Sequence, residues 1–188
     1  MEQNVAKRVP YGIQDFVQVI EQNCYYVDKT AYIPKLEDCP NNLFCIRPRR
    51  FGKSVFLSML HAYYDCRTKD KFQEWFGDLW IGKHPTPLQG RYQVMHLDFS
   101  QVGGSIENLE EKFNFYLGVQ LNGFIRDYLD FYSEKVQKQV EDAKDAGGKL
   151  AIIQSEARSK GYPLYLIIDE YDNFTNTVLN EQGEDVYW

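Results

Sequence analysis

The chain has 188 residues, of which 44% are hydrophobic, 26% charged and 15% aromatic, with 14 Tyr and 12 Phe. That length suits one domain with a sizeable core, and the aromatic content excludes a disordered chain. The net charge of −6 excludes any global attraction to nucleic acid or an anionic membrane, so either contact would need a local basic patch.

In chain order, residues 1–16 hold no apolar stretch long enough for a signal peptide. Residues 12–23 predict a short helix and 24–27 a short β-type run. Asp28-Lys29-Thr30 offers N-cap chemistry for a helix through about Leu36, and 38–42 is a turn. The compact apolar run Leu43-Phe44-Cys45-Ile46 predicts a strand buried on both faces, with Cys45 a small buried apolar residue. After a basic loop, Phe56, Met59, Leu60, Tyr63 and Tyr64 form one apolar stripe at helical spacing. Residues 92–99 predict a second strand. A long helix follows, with Ile106, Leu109, Phe113, Leu117, Leu121, Phe124 and Tyr128 at steps of three or four. Residues 133–160 read as helical, interrupted at Gly147-Gly148, and 164–168 as a third buried strand ending on Asp169-Glu170. Strands alternating with long helices indicate an α/β fold with a mostly parallel sheet. The longest apolar run, 163–168, is far too short to span a membrane, so the expected location is cytoplasmic with no membrane partner. Cys24, Cys39, Cys45 and Cys66 contain no Cys-x-x-Cys pair and no His at ligand spacing, which disfavours zinc.

The basic loop reads Arg47-Pro48-Arg49-Arg50-Phe51-Gly52-Lys53-Ser54, and its end matches the phosphate loop G-x-x-x-x-G-K-[ST] (Walker A) in a strand–loop–helix context. Free N–H groups at a helix N-terminus attract an anion, and the helix dipole adds to that attraction. Arg49, Arg50, Phe51, Gly52, Lys53, Ser54 and Val55 are therefore the candidate nucleotide-binding residues. Gly52 admits close backbone approach, Lys53 reaches the β- and γ-phosphates, and the Ser54 hydroxyl ligates magnesium. Arg47 stands where the general motif has glycine. The bland reading is a solvated basic turn with a chance Gly-Lys-Ser.

A hydrophobic strand ending in Asp holds magnesium in phosphate-loop proteins, and Asp169 fits that place (Walker B). Glu170, next in the chain, would polarise the attacking water. The alternative for this pair is a solvated strand end or a helix cap. Asp98, closing the second strand, either faces the phosphate side or caps a turn. Asp172 either supports Glu170 or is exposed, and His61, His84 and His96 read as structural or surface residues.

The runs Tyr11-Gly12-Ile13-Gln14-Asp15-Phe16, Tyr26-Val27-Asp28-Lys29-Thr30, the basic loop, His96-Leu97-Asp98-Phe99-Ser100 and Ile168-Asp169-Glu170-Tyr171-Asp172 occur in this order along nearly the whole chain. Together they resemble the predicted AAA-ATPase-like family of bacteria and archaea, in which the loop likewise reads R-P-R-R-F-G-K-S. The resemblance implies a single AAA-like phosphate-loop NTPase domain over 1–188, a three-layer sandwich that uses ATP and Mg2+. It also implies a homo-oligomer as a partner, and nucleic acid only through a downstream nuclease-like domain. A complete core of this type would need a polar sensor strand, a further strand, a helical lid and an arginine acting in trans after the acidic strand. None can be located before Trp188, so the domain is expected to be incomplete at its C-terminus and weak in turnover. In a native-like sheet, residues 43–46 and 164–168 would then either leave a strand-wide gap or pair directly. The expected function is an ATPase whose binding and hydrolysis drive a conformational switch. The alternative is a nucleotide-binding or interaction module without turnover, and a small-molecule phosphotransferase comes last.

Overall fold

A computed structural model describes residues 6–40, 42–46, 51–100 and 108–171. The chain forms two compact units, Met1–Arg91 and Tyr92–Trp188.

The described part of the first unit is helical. Helix α1 (Phe16–Glu21) is shorter than the predicted 12–23 because Asp15 caps it, its side chain accepting from Gln18 N at 2.8 Å. Gly12 lies before the cap with φ +73, and Asn23 at φ 52 turns the chain after it. The expected β-type run at 24–27 reduces to one parallel bridge, Arg8 to Cys24. A 3₁₀ turn (Thr30–Tyr32) leads into α2 (Ile33–Glu37). Helix α3 (Lys53–Tyr64) is the longest of this unit, followed by the short α4 (Phe72–Phe76) and α5 (Trp80–Lys83). Met59, Leu60, Tyr63 and Tyr64 of the predicted stripe are buried, while Phe56, near the N-terminal end, is half-buried.

Aromatic rings hold this unit together. Phe16 stacks on Phe76 at 4.9 Å and meets Tyr26 edge-on at 5.1 Å; Tyr63 meets Phe72 and Phe76 edge-on. Such pairs add to the area they bury. A polar network joins α2 to α3: Glu37 Oε1 accepts from Tyr64 Oη at 3.0 Å and from Thr86 Oγ1 at 2.7 Å.

Helix α3 ends on a buried charge. Asp65, 1% exposed, accepts from Arg67 N at 2.8 Å and pairs with the Arg67 guanidinium at 2.9 Å, with His61 Nε2 3.3 Å away. Burial pushes its carboxyl up, but the bonds from His61 and Arg67 outweigh burial and hold it below the ordinary 3.8. A depressed folded-state value means stability that is present above the unfolded value and lost as pH falls through the folded one. Asp65→Asn is therefore expected to lose about 2 kcal/mol at neutral pH, with its deficit against wild type shrinking as pH drops below about 4. Urea unfolding of both proteins at several pH values checks this; a deficit constant with pH would reject it.

The second unit carries the sheet. Strands β1 (Gln93–Asp98) and β2 (Leu164–Asp169) run parallel, with Gln93 opposite Leu164 and Asp98 opposite Asp169. The crossover between them contains α6 (Leu109–Asp127), α7 (Glu134–Asp142) and α8 (Ala146–Ser159). Gly147 and Gly148 do not interrupt a helix as expected. Asp145 caps α8 by accepting from Gly148 N at 2.7 Å, which puts both glycines in the first turn and moves the break to about 143–145.

The outer edge of β1 is closed by side chains of the α6 region. Tyr128 Oη accepts from Val94 N at 2.7 Å and donates to Val94 O at 3.3 Å. Gln120 does the same at Asp98, accepting from its N–H at 2.8 Å and donating to its carbonyl at 3.2 Å. Two side chains eight residues apart on a helix thus satisfy two backbone sites four apart on a strand, which blunts the edge.

The strand expected at 43–46 does not form. Residues 43–46 are irregular, with Leu43, Phe44 and Ile46 exposed at 48%, 79% and 86% and Cys45 half-buried. An extended apolar run becomes a buried strand only where a ladder partner exists, and no described strand pairs with it. Among the described residues that run does not pair with 164–168. The fold is mixed α/β with a small parallel sheet.

Candidate functional site

One set of candidate residues, in the first unit, lies at the head of α3. Gly52 is the N-cap residue with φ +74 and ψ 29, a left-handed conformation that glycine adopts without strain. The first intrahelical bond runs from Phe56 N to Gly52 O at 3.0 Å. The N–H groups of Lys53, Ser54 and Val55 thus precede the helical ladder, and no side chain caps them through Gly52. A Cβ at Gly52 would meet only Lys29 Nζ, at 3.6 Å, an ordinary contact. The need for glycine here comes from the backbone angle rather than from crowding. Phe51 is 64% exposed, and Lys53, Ser54 and Val55 are half-buried. Arg47, Arg49 and Arg50 lie outside the described residues, as does Asp172.

A second set, in the other unit, lies at the carboxyl ends of β1 and β2. The register sets Asp98 beside Asp169. Asp169 is buried at 7% exposure, and its Oδ1 accepts from Glu170 N at 2.9 Å. Glu170 has φ 52, a left-handed angle that costs a non-glycine residue about 1–2 kcal/mol. Backbone strain of this kind gathers at functional sites, where the surrounding structure holds it. Asp98 is exposed and accepts from Ser100 N at 2.8 Å, so it makes the turn that was one of its two expected roles.

The other sequence candidates have structural roles. His61 sits against Asp65, and His84 stacks on Trp80 at 4.4 Å. His96 is exposed on β1. Asp15 caps α1 and Phe16 enters the aromatic core, which accounts for two residues of the first family-like run. Lys29, whose ammonium lies beside Gly52, was not among the expected site residues. No local signal placed it there: Asp28-Lys29-Thr30 reads as helix-capping chemistry.

The residues suit magnesium in kind. A serine hydroxyl and a buried carboxylate are hard oxygen donors, and this ion takes few protein ligands beside phosphate oxygens and water. Among the described residues no group of three or more His, Cys, Asp or Glu side chains could hold a metal.

The model of the predicted AAA-ATPase family matches residues 10–187. The chain belongs to that family. As a member of the predicted AAA-ATPases it is also 27% identical over 172 residues to the "Uncharacterized protein in vnfD 5'region" of Azotobacter chroococcum mcd 1, across 88% of this chain. The AAA-ATPase-like chain spans 29% of that relative's length. No solved structure matches it. Among its described residues no helix is long and apolar enough to cross a membrane.

Proposed function

We propose that the chain binds ATP with magnesium at the head of α3 and belongs to an ATPase that converts binding and hydrolysis into a conformational switch. The observation that carries this reading is the left-handed Gly52 opening α3 on Lys53 and Ser54, in a chain of the predicted AAA-ATPase family. The amides of Lys53, Ser54 and Val55 receive phosphate oxygens, and the Lys53 ammonium neutralises the terminal phosphates. Arg49, Arg50 and Phe51 border the same phosphates. Ser54 and Asp169 hold magnesium, which when bound neutralises phosphate charge. Glu170 accepts the proton of the attacking water, its position fixed by the left-handed backbone and by the bond from its N–H to Asp169. The two units act as parts of one ATPase domain.

Calorimetric titration with ATP, with magnesium and with a chelator, tests this. Wild type is expected to bind ATP more tightly with the metal present. Asp169→Asn keeps an oxygen to accept from Glu170 N but loses the charge, so its affinity should be nearly indifferent to magnesium. No ATP binding by wild type would reject the reading, and an unchanged magnesium effect in the variant would remove Asp169 from it.

A further inference from the structure

Lys29 is held in an electrostatically unfavourable place. Its neighbours on both sides are anchored to the start of α5. Asp28 accepts from Thr30 N at 2.8 Å and from Trp80 N at 2.7 Å. Thr30 is fully buried, donates its hydroxyl to Asp28 at 2.7 Å and accepts from Ile81 N at 3.1 Å. With both flanking side chains committed to α5, the half-buried Lys29 reaches the other way, to Gly52. Its ammonium stands 3.6 Å from the position of a Gly52 Cβ, at the positive end of a twelve-residue helix and beside the residue preceding Lys53. A cation at a helix N-terminus is repelled by the helix dipole. Among the described residues no carboxylate pairs with Lys29. A polyanion at the loop would reverse the sign of every one of these interactions.

We propose that Lys29 is a second lysine of the phosphate site, its ammonium contacting a phosphate oxygen of the nucleoside triphosphate. The proposal rests on the nucleotide reading given above. The Asp28 and Thr30 clamp keeps the Lys29 backbone in place before the ligand arrives, so little ordering is left for the binding step.

The test uses the full chain and two probes, MgATP and tripolyphosphate, titrated at several salt concentrations. Lys29→Gln should bind both about tenfold more weakly, with a flatter salt dependence than wild type. Lys29→Arg should recover most of the loss, and the ligand-free melting temperature of Lys29→Gln should be no lower than that of wild type. Equal affinity in Lys29→Gln and wild type, while Lys53→Ala loses binding, would overturn the role of Lys29 and leave the phosphate site standing. A loss confined to MgATP and absent with tripolyphosphate would also overturn it, since the contact would not be to phosphate. A lowered ligand-free melting temperature with no recovery by arginine would reduce Lys29 to a structural residue. Failure of wild type to bind either probe would defeat the nucleotide reading itself.

Discussion

Lys53→Ala is expected to lower MgATP affinity about a hundredfold, the equivalent of ~3 kcal/mol at the upper end of what a charge-assisted hydrogen bond contributes. Lys53 is the first residue of α3, and its ammonium extends from the turn whose amides lead the helix. The substitution removes the charge without touching the left-handed turn at Gly52 or the buried face made by Met59, Leu60, Tyr63 and Tyr64. Alanine is also the best helix former, so α3 should persist and the ligand-free melting temperature should hold. The measurement is a calorimetric titration of both proteins at one salt concentration. Equal affinity would sink the assignment of Lys53 to the terminal phosphates and, with it, the phosphate-loop reading that the Gly-Lys-Ser run carries.

Glu170→Gln is expected to leave MgATP binding within about twofold of wild type while lowering any steady-state hydrolysis by about 10²–10⁴, the usual contribution of a positioned general base. Glutamine keeps the size and backbone preference of the native residue, so the left-handed angle at this position is strained to the same degree. The bond from the residue 170 N–H to Asp169 involves only backbone on the donor side and survives the change. What is lost is the acceptor for the proton of water. Phosphate release measured at saturating MgATP, with the affinity determined separately, isolates that loss. Hydrolysis as fast as wild type would move the base to another residue and leave binding untouched.

Much of the second unit was legible in the sequence. The strands were expected at 92–99 and 164–168, and they formed at Gln93–Asp98 and Leu164–Asp169. Helix α6 followed the three-and-four spacing of Leu109, Leu117, Leu121 and Phe124, all buried. These signals are local and periodic: a side chain's face follows from its place in the repeat. The helix break was misplaced because two glycines in a row look like punctuation. In the first turn of a helix capped by Asp145 they are tolerated, since that turn has few internal bonds to weaken.

By itself the sequence displayed the groups on which the proposed chemistry rests: a glycine, a lysine and a serine at the mouth of an amphipathic helix, and two carboxylates closing an apolar strand. Side-chain type and spacing suffice for that, because both are written in the chain before it folds. Only the tertiary structure decided which apolar runs became strands. Residues 43–46 have the composition of a buried strand yet stay exposed, because a strand's backbone bonds are made with another segment and no described one pairs with it. The tertiary structure also set Asp98 beside Asp169, turned Glu170 into a left-handed conformation, and used Tyr128 and Gln120 to seal the edge of β1. It brought Lys29 to Gly52, a contact absent from every local pattern. That contact depends on Asp28 and Thr30 bonding Trp80 and Ile81 some fifty residues onward, a pairing that exists only once the chain has closed on itself.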